Sequence, residues 1–491
     1  MSSIEVPFDK IQSLKGEASK ISELLKNLEE NLVIIYRVNP DNLCATGILI
    51  SCLREIGLGC HSISIDNSSD LEERLKKINY STHIFIGFQI KELPSKFFKD
   101  ETKRIIFVDH KFSIDKRLKI PWESILTLSL KELEIPVNAL SNAGLAYFIA
   151  EGITEEYPKF SGLALIGGLA NKQVDSKSQK LIGINRFILE EGKKEEILKE
   201  TVGTRIYGRE SLPIHLALKY SINPYFPGLT GNEEACTSFV SRLGISMKDQ
   251  DGNARTISSL TTEETKKLYD RLIALLVEQK SQFKTESLIG PIYIILTETS
   301  KSQTRNAEEY LWLLDGACRL RKYGLALAVV LGDRTNIYDE LKRKMDNYHG
   351  NAAQIIEKIT QDISIVDSKE HYKIIENQDI FNLESVPLVI KALVESNIIT
   401  VDKPLLLHLK EKNMNYLYMH DSPIQIQKGF QLYHVIQDFI KRKILSESSI
   451  KGETDFFRLA LSDDDYLTIL EEFEKSLKYH HDGTKTDSTS K

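Results

Sequence analysis

Short apolar runs separated by stretches of helical spacing organise the first third of the chain. Residues 32–36, 60–65, 83–88 and 104–108 are such runs, rich in Val, Ile and Phe, and 125–128 is a candidate fifth. Runs of this length and composition predict buried strands. Ahead of them, 8–30 sets Ile11, Leu14, Ile21, Leu24, Leu25 and Leu28 on one face of an amphipathic helix. Between the first two runs, 43–57 carries apolar or small residues at helical spacing and closes on Gly57 and Gly59. Strands spaced by helices predict βαβ units and a parallel sheet.

From Leu140 the spacing turns helical, over 140–151, 160–170 and 177–191. The stretch 207–231, rich in Pro, Gly and Tyr, reads as an ordered loop region. Thr261-Thr262-Glu263-Glu264 carries a capping-box pattern at the head of a helix running to Gln282. Alternation then restarts, with strand-like runs at 292–296, 325–331, 372–375, 404–407 and 416–418. Helical patterns fall at 306–319, 352–359, 383–395, 432–443 and 464–479. With 491 residues to place, more than one core is expected. The pattern predicts an α/β domain over 1–200, its parallel sheet flanked by helices, then a mostly helical connecting region over 201–285 and a smaller α/β domain over 286–480. The main boundary lies between Gln279 and Gly290, and the polar end, 481–491, reads as a disordered tail.

Composition narrows the function classes. Hydrophobic residues make up 41% and charged residues 27%, as in an ordinary soluble domain protein. No apolar run reaches the length of a membrane span and the first twenty residues lack a signal-peptide core, so a cytoplasmic protein without membrane contact is expected. The five cysteines are scattered with no C-x-x-C pair, which fits a reducing interior and disfavours structural zinc. A net charge of −6 disfavours a protein built to grip phosphate backbones and makes protein partners the stronger expectation.

Chemistry concentrates where strands end. Tyr36-Arg37-Val38-Asn39-Pro40-Asp41-Asn42 lies at the carboxyl end of one strand and the amino end of a helix, where open α/β sheets bind ligands. Taken alone, such Asx residues serve equally well as helix caps. A second strand delivers Asp109-His110-Lys111, a third ends in Gly87, and Leu163 to Ala170 leads through Gly167-Gly168 to Asn171.

In this order the motifs resemble those of the DHH phosphoesterase superfamily, which includes the RecJ exonuclease. The family's His-x-Asp-x-Asp-Gly aligns with Arg37-x-Asn39-x-Asp41-Asn42, its next strand-terminal Asp with Gly87, its Asp-His-His with Asp109-His110-Lys111, and its last Asp with Asn171. Ser141-Asn142-Ala143-Gly144 matches a small-residue helix start. Arg209 to His215 and Asn223 to Thr230 are similar to archaeal RecJ-like proteins that associate with GINS, and 313–332 is similar to the start of their DHHA1-type domain. The resemblance therefore implies a DHH-type domain followed by a DHHA1-type domain.

The departures carry the functional expectation. Active members hold two divalent metals on carboxylates and histidines to activate a water. Here Arg37, Asn39, Gly87, Lys111 and Asn171 replace ligands or their neighbours, leaving Asp41, Asp109 and His110. A guanidinium neither coordinates a metal nor loses its proton near neutrality, and a like unit charge at ~4 Å costs about 4 kcal/mol at an effective dielectric near 20. The glycine-rich phosphate-gripping segment of active relatives aligns with 441–459, which has one glycine, Gly452, and no histidine; a preceding family arginine aligns with His420. These positions are read as a relict site without metal or other cofactor, in which Arg37 and Lys111 take over as counter-charges for Asp41 and Asp109. Arg319, Arg321, Lys322 and Tyr323 form a basic–aromatic cluster suited to single-stranded DNA, or equally a solvated last helical turn.

What the resemblance implies is a catalytically inactive, nucleoid-associated RecJ-like subunit of the archaeal CMG helicase. It would bind GINS, support MCM and touch single-stranded DNA weakly. The alternative is a 5′–3′ single-strand exonuclease or small-nucleotide phosphoesterase working with Asp41, Asp109, His110 and one manganese.

Overall fold

The computed structural model describes residues 4–486 except 67–68, 95–96, 99, 101, 115–124, 279–287, 377–379, 397, 400–401, 422–424, 427–429, 447–448 and 454–455. Two compact units emerge. The first comprises Met1–Ser211 and Ile289–Met345, the second Leu212–Leu288 and Asp346–Lys491.

The first unit opens with α1 (Phe8–Lys26), β1 (Leu32–Arg37), α2 (Pro40–Glu55), β2 (Cys60–Ile65), α3 (Ser69–Lys76), β3 (Thr82–Ile86), β4 (Arg104–Val108) and β5 (Ile125–Leu128). All five strands are parallel, in the order β2-β1-β3-β4-β5. The apolar runs form strands because both faces are covered. Val33, Ile35, Phe85 and Phe107 join Leu71 and Leu75 of α3 in one core. Ile34, Ile84 and Ile106, in register across β1, β3 and β4, alternate to the other face and are equally buried. The strand order reverses between β1 and β3, the point where a doubly wound sheet opens a crevice at its carboxyl edge.

Next come α4 (Asn142–Glu151), α5 (Ser161–Ala170), α6 (Ile184–Lys194) and β6 (Leu198–Thr204). The chain then enters the second unit through α7 (Ile214–Lys219), α8 (Glu233–Arg242) and α9 (Thr262–Glu278), and returns to the first as β7 (Ile289–Ile295), α10 (Ala307–Arg319) and α11 (Tyr323–Val330). Antiparallel β6 and β7 pair from Leu198↔Ile295 to Thr204↔Ile289. The expected capping box heads α9, with Thr261 and Glu264 exchanging backbone-to-side-chain bonds of 2.9 and 3.2 Å.

Helix α12 (Asn336–Gln361) contains the boundary between the units, and the rest of the second unit follows: β8 (Val366–Ser368), β9 (Lys373–Ile375), α13 (Val386–Glu395), β10 (Leu405–Glu411), β11 (Met414–His420), α14 (Leu432–Lys441), β12 (Ile450–Glu453), β13 (Phe456–Leu461) and α15 (Asp463–Thr486). Its six strands run β12-β13-β11-β10-β9-β8. Leu405 and Leu407 face α13 and the end of α12, while Leu406 and Leu417 face α14 and α15. Ile222 and Tyr225 share the first of these cores, so the inserted segment is part of the same body.

Four expectations are corrected. The smaller α/β domain does not start near 286, because β7 pairs with β6 inside the first unit. Residues 325–331 are helical rather than extended, as most of α11. The helix expected over 177–191 starts only at Ile184, after a β-bridge between Val174 and Leu181. The expected tail is helical through Thr486; 487–491 lie outside the described residues.

Candidate functional site

Strand ends and helix starts meet at the carboxyl edge of the parallel sheet. Asn39 is extended and its Oδ1 accepts the N–H of Asn42 at 2.8 Å, while Pro40 takes the first helical position, where a missing N–H costs nothing. Asn39 is thus the N-cap of α2.

Asp41 follows, 3% exposed. Its Oδ2 accepts the N–H of Asn142 at 3.0 Å and its Oδ1 that of Ala143 at 2.8 Å. Asn171 Nδ2 donates to Oδ2 at 2.6 Å. Ser141 caps α4 in the ordinary way through Gly144 N at 3.1 Å, so Asp41 satisfies two further N–H groups that a helix start leaves unpaired. Gly167 of α5 leaves room for this: a Cβ there would collide with Asp41 Oδ1 and Ser141 Oγ.

A carboxamide chain continues from this point. Asn142 Nδ2 donates to Asn42 Oδ1 at 2.7 Å, and Asn42 Nδ2 donates to the Arg37 carbonyl at 2.9 Å. Gly87 has φ +76°, and a Cβ on it would strike the Asn42 carboxamide. On the far side, Asn142 Oδ1 meets both His110 N and His110 Nδ1 at 2.7 Å. The backbone N–H needs an acceptor there, so the atom is oxygen and Nδ1 carries the ring proton.

Asp109, 7% exposed, accepts Lys111 N on Oδ1 at 2.7 Å and Gln89 Nε2 on Oδ2 at 3.2 Å. Burial pushes both carboxylates above their ordinary range. For Asp41, His110 and the donors from Ala143, Asn142 and Asn171 pull the other way. For Asp109, Lys111 N–H, His110 and Gln89 do so, and the neighbouring Asp41 charge adds to the rise.

The expected counter-charges are elsewhere. Arg37 forms its ion pair with Glu92, donates through Nε to Gly87 O at 3.2 Å and lies 4.9 Å from the Phe88 ring centroid. Lys111 is exposed and meets Asp109 through its backbone N–H. The positive φ of Gly87 turns the chain into a short 3-10 segment, Ile90–Glu92, whose last residue arrives beside Arg37 while its other oxygen accepts Gln89 N at 2.9 Å. Gln89 and Glu92 were not singled out from the sequence, and Asn142 only as part of a helix start; the Gln-x-x-Glu spacing at 89–92 is the signal that marks the first two.

These side chains do not fit a two-metal centre. Both Asp41 oxygens already accept N–H groups, His110 Nδ1 is committed to Asn142, and Gly87 and Asn171 supply no anionic oxygen. Among the described residues no three His, Cys, Asp or Glu side chains stand together as a metal-holding group.

The other candidates are engaged locally. Arg319 pairs with Asp315 at 2.7 Å and Arg321 with Asp66, at the end of β2, at 3.3 Å. Lys322 and Tyr323 begin α11 and are half-buried. In the second unit, 441–459 covers the end of α14, a turn and the antiparallel β12–β13 pair, and His420 Nδ1 lies 2.9 Å from Asp421 O. No described helix is long and apolar enough to cross a membrane.

The fold is shared with known proteins. Residues 206–289 match the DHH-CID domain model, the excursion that the Thr204↔Ile289 pair closes. No curated protein matches the chain in sequence. Among solved structures it is similar to CDC45 from Entamoeba histolytica, with TM-score 0.65 and 11% identity over 94% of this chain and 99% of that one. It is also similar to exonuclease RecJ bound to manganese, with TM-score 0.52 and 12% identity over 95% and 94%. The Mn2+ complex of RecJ from Thermus thermophilus gives TM-score 0.50 and 13% identity over 95% of this chain but 55% of the longer RecJ. The chain thus carries a DHH-CID domain within residues 206–289. Its fold is the one shared by the CDC45 and RecJ structures.

Proposed function

We propose that this protein is a replication factor without nuclease activity, a RecJ-like subunit of an archaeal CMG helicase that binds GINS and supports MCM. The observation that carries the reading is the fate of Asp41: its carboxylate is bound to the start of α4 and to Asn171, not turned toward an open site. Similarity to CDC45 over nearly the whole of both chains supports the same reading. A scaffold that lies beside single strands gains from losing the power to cut them. Contact with single-stranded DNA is weak on this view, because Asp315 and Asp66 offset Arg319 and Arg321.

Two measurements test it. Mixed with GINS at micromolar concentration and moderate salt, the protein co-elutes on size exclusion; separate elution counts against the reading. With manganese and high protein concentration, single-stranded DNA stays intact. Degradation that Asp109→Ala abolishes would instead establish the enzyme.

A further inference from the structure

Glu309, in the first turn of α10, is a carboxyl without a counter-ion. It is 2% exposed, and both its donors are neutral: Glu210 N on Oε1 at 2.5 Å and Ser211 Oγ on Oε2 at 2.6 Å. No cation pairs with it among the described residues. Burial, and the charge of Glu210, raise it to about 8, so near neutrality it holds its proton. Arg209 is the cation that favours its charged form, yet Nη1 of that guanidinium lies 3.2 Å from Glu210 Oε2. The guanidinium is largely buried against β6, where a Cβ on Gly203 would meet it at 2.9 Å. Its Nε has no hydrogen-bond partner. A buried donor left unpaired is costly, and this one is free to take a second carboxylate.

The neighbours complete an exchange. Glu210 Oε1 has a second cation, Arg305 Nε, at 3.9 Å. Arg305 also donates to a backbone carbonyl, Glu298 O, while the Glu298 carboxylate is taken by Arg334 and that of Glu308 by Arg205. With Glu309 protonated, one carboxylate faces two guanidinium ions; with Glu309 ionised there are two of each, a partner for every charge. The ionisable groups on the other elements packed against α10 are engaged elsewhere. Helix α5 has none, Tyr293 of β7 accepts Leu181 N at 3.0 Å, and Tyr323 of α11 lies beside Asp66. Helix α2 brings the buried thiol of Cys44, beside Tyr310, and Asp41, bound to the start of α4.

We infer that Arg209, Glu210 and Glu309 form a proton-operated switch, in which loss of the Glu309 proton moves Arg209 from Glu210 to Glu309 and leaves Glu210 to Arg305. Residues 209–211 are the last of the first unit before the excursion, and Glu210 N and Ser211 Oγ both hang on Glu309. The exchange therefore acts on the segment that leads into 206–289, as pH rises through about 8.

The test is the titration of Glu309 in the full chain, followed by NMR of protein labelled at the glutamate carboxyl carbons, with Glu309→Gln identifying the resonance. The wild-type midpoint is expected at about 8. Arg209→Gln, which removes the receiving cation, should raise it by about one pH unit, and Glu210→Gln, which frees Arg209, should lower it by about as much. Arg209→Lys keeps the charge without the spare Nε and should raise it by less; it takes the place of Arg209→Gln if urea unfolding shows that variant to be unfolded. Arg205→Gln, whose partner is Glu308, should leave the midpoint in place. A wild-type midpoint below about pH 6, or one that neither Arg209 variant moves, overturns the proposal. So does an upward shift in Glu210→Gln.

Discussion

Asp41 Oδ2 accepts the backbone N–H of Asn142 at 3.0 Å, so a carboxylate in the first turn of α2 caps a helix 101 residues further along the chain. This bond and its companion to Ala143 tie two helix starts together at the sheet edge. They give the Asp41 carboxylate a structural task.

Asp41→Ala should therefore be costly. It leaves the N–H groups of Asn142 and Ala143 and the Asn171 amide buried without their acceptor, a loss of about 2–4 kcal/mol. Asp41→Asn keeps one acceptor oxygen and should lose less. Urea unfolding of both variants measures the difference; an Asp41→Ala protein as stable as wild type would remove the carboxylate from the fold's support.

Manganese should leave the unfolding midpoint unchanged at millimolar concentration, as should EDTA. A native-state ligand at about a hundred times its dissociation constant would add about 2.7 kcal/mol, easily seen in a thermal scan. A rise that Asp109→Ala abolishes would show a metal site after all.

Arg37→Ala should act on Glu92, not on the two aspartates. The ion pair is partly exposed, at 32% and 23% of the two side chains, so a double-mutant cycle with Glu92→Gln should give a coupling of about 1 kcal/mol. Faster amide exchange should be confined to 87–93. Equal changes around Asp41 would restore the counter-charge role expected from the sequence.

Glu309 should make stability fall as pH rises. Burial pushes its carboxyl up to about 8 from 4.5, although it accepts Glu210 N at 2.5 Å and Ser211 Oγ at 2.6 Å. Between those values the folded state holds a proton that the unfolded chain has released. The contribution is therefore fully present below pH 4.5 and is lost as pH rises through about 8. Glu309→Gln, which keeps an acceptor for Glu210 N, should flatten the midpoint-versus-pH curve across this window; an unaltered slope would assign the dependence to another group.

The parts legible in the sequence are those where burial is two-sided. Val33, Ile35, Phe85 and Phe107 lie in strands covered on both faces, so unbroken apolar runs mark them. Strand β6, Leu-Lys-Glu-Thr-Val-Gly-Thr, is covered only in part and carries no comparable run. With β6 hidden, β7 read as the first strand of a new domain. The apolar stretch in α11 shows the opposite error, since a short unbroken run of Leu, Ala and Val fits either period. At the site, order along the chain located Asp41, Asp109 and His110. The partner of Arg37 depended on the backbone of Gly87, and the cap on α4 was masked by the helix's own Ser141.

The pairing of Thr204 with Ile289 bears on how the protein is made. On a ribosome extending at about 5–20 residues per second, β6 emerges several seconds before the strand that completes its ladder. Helix α11 comes later still, although Val330 packs so closely on Gly47 that α2 has no room for a Cβ there. The nascent sheet domain thus waits with an apolar helix face uncovered while the excursion is synthesised. Assembly of the first unit is set by the order of synthesis, and a chain stalled within 212–288 is the species most in need of a chaperone.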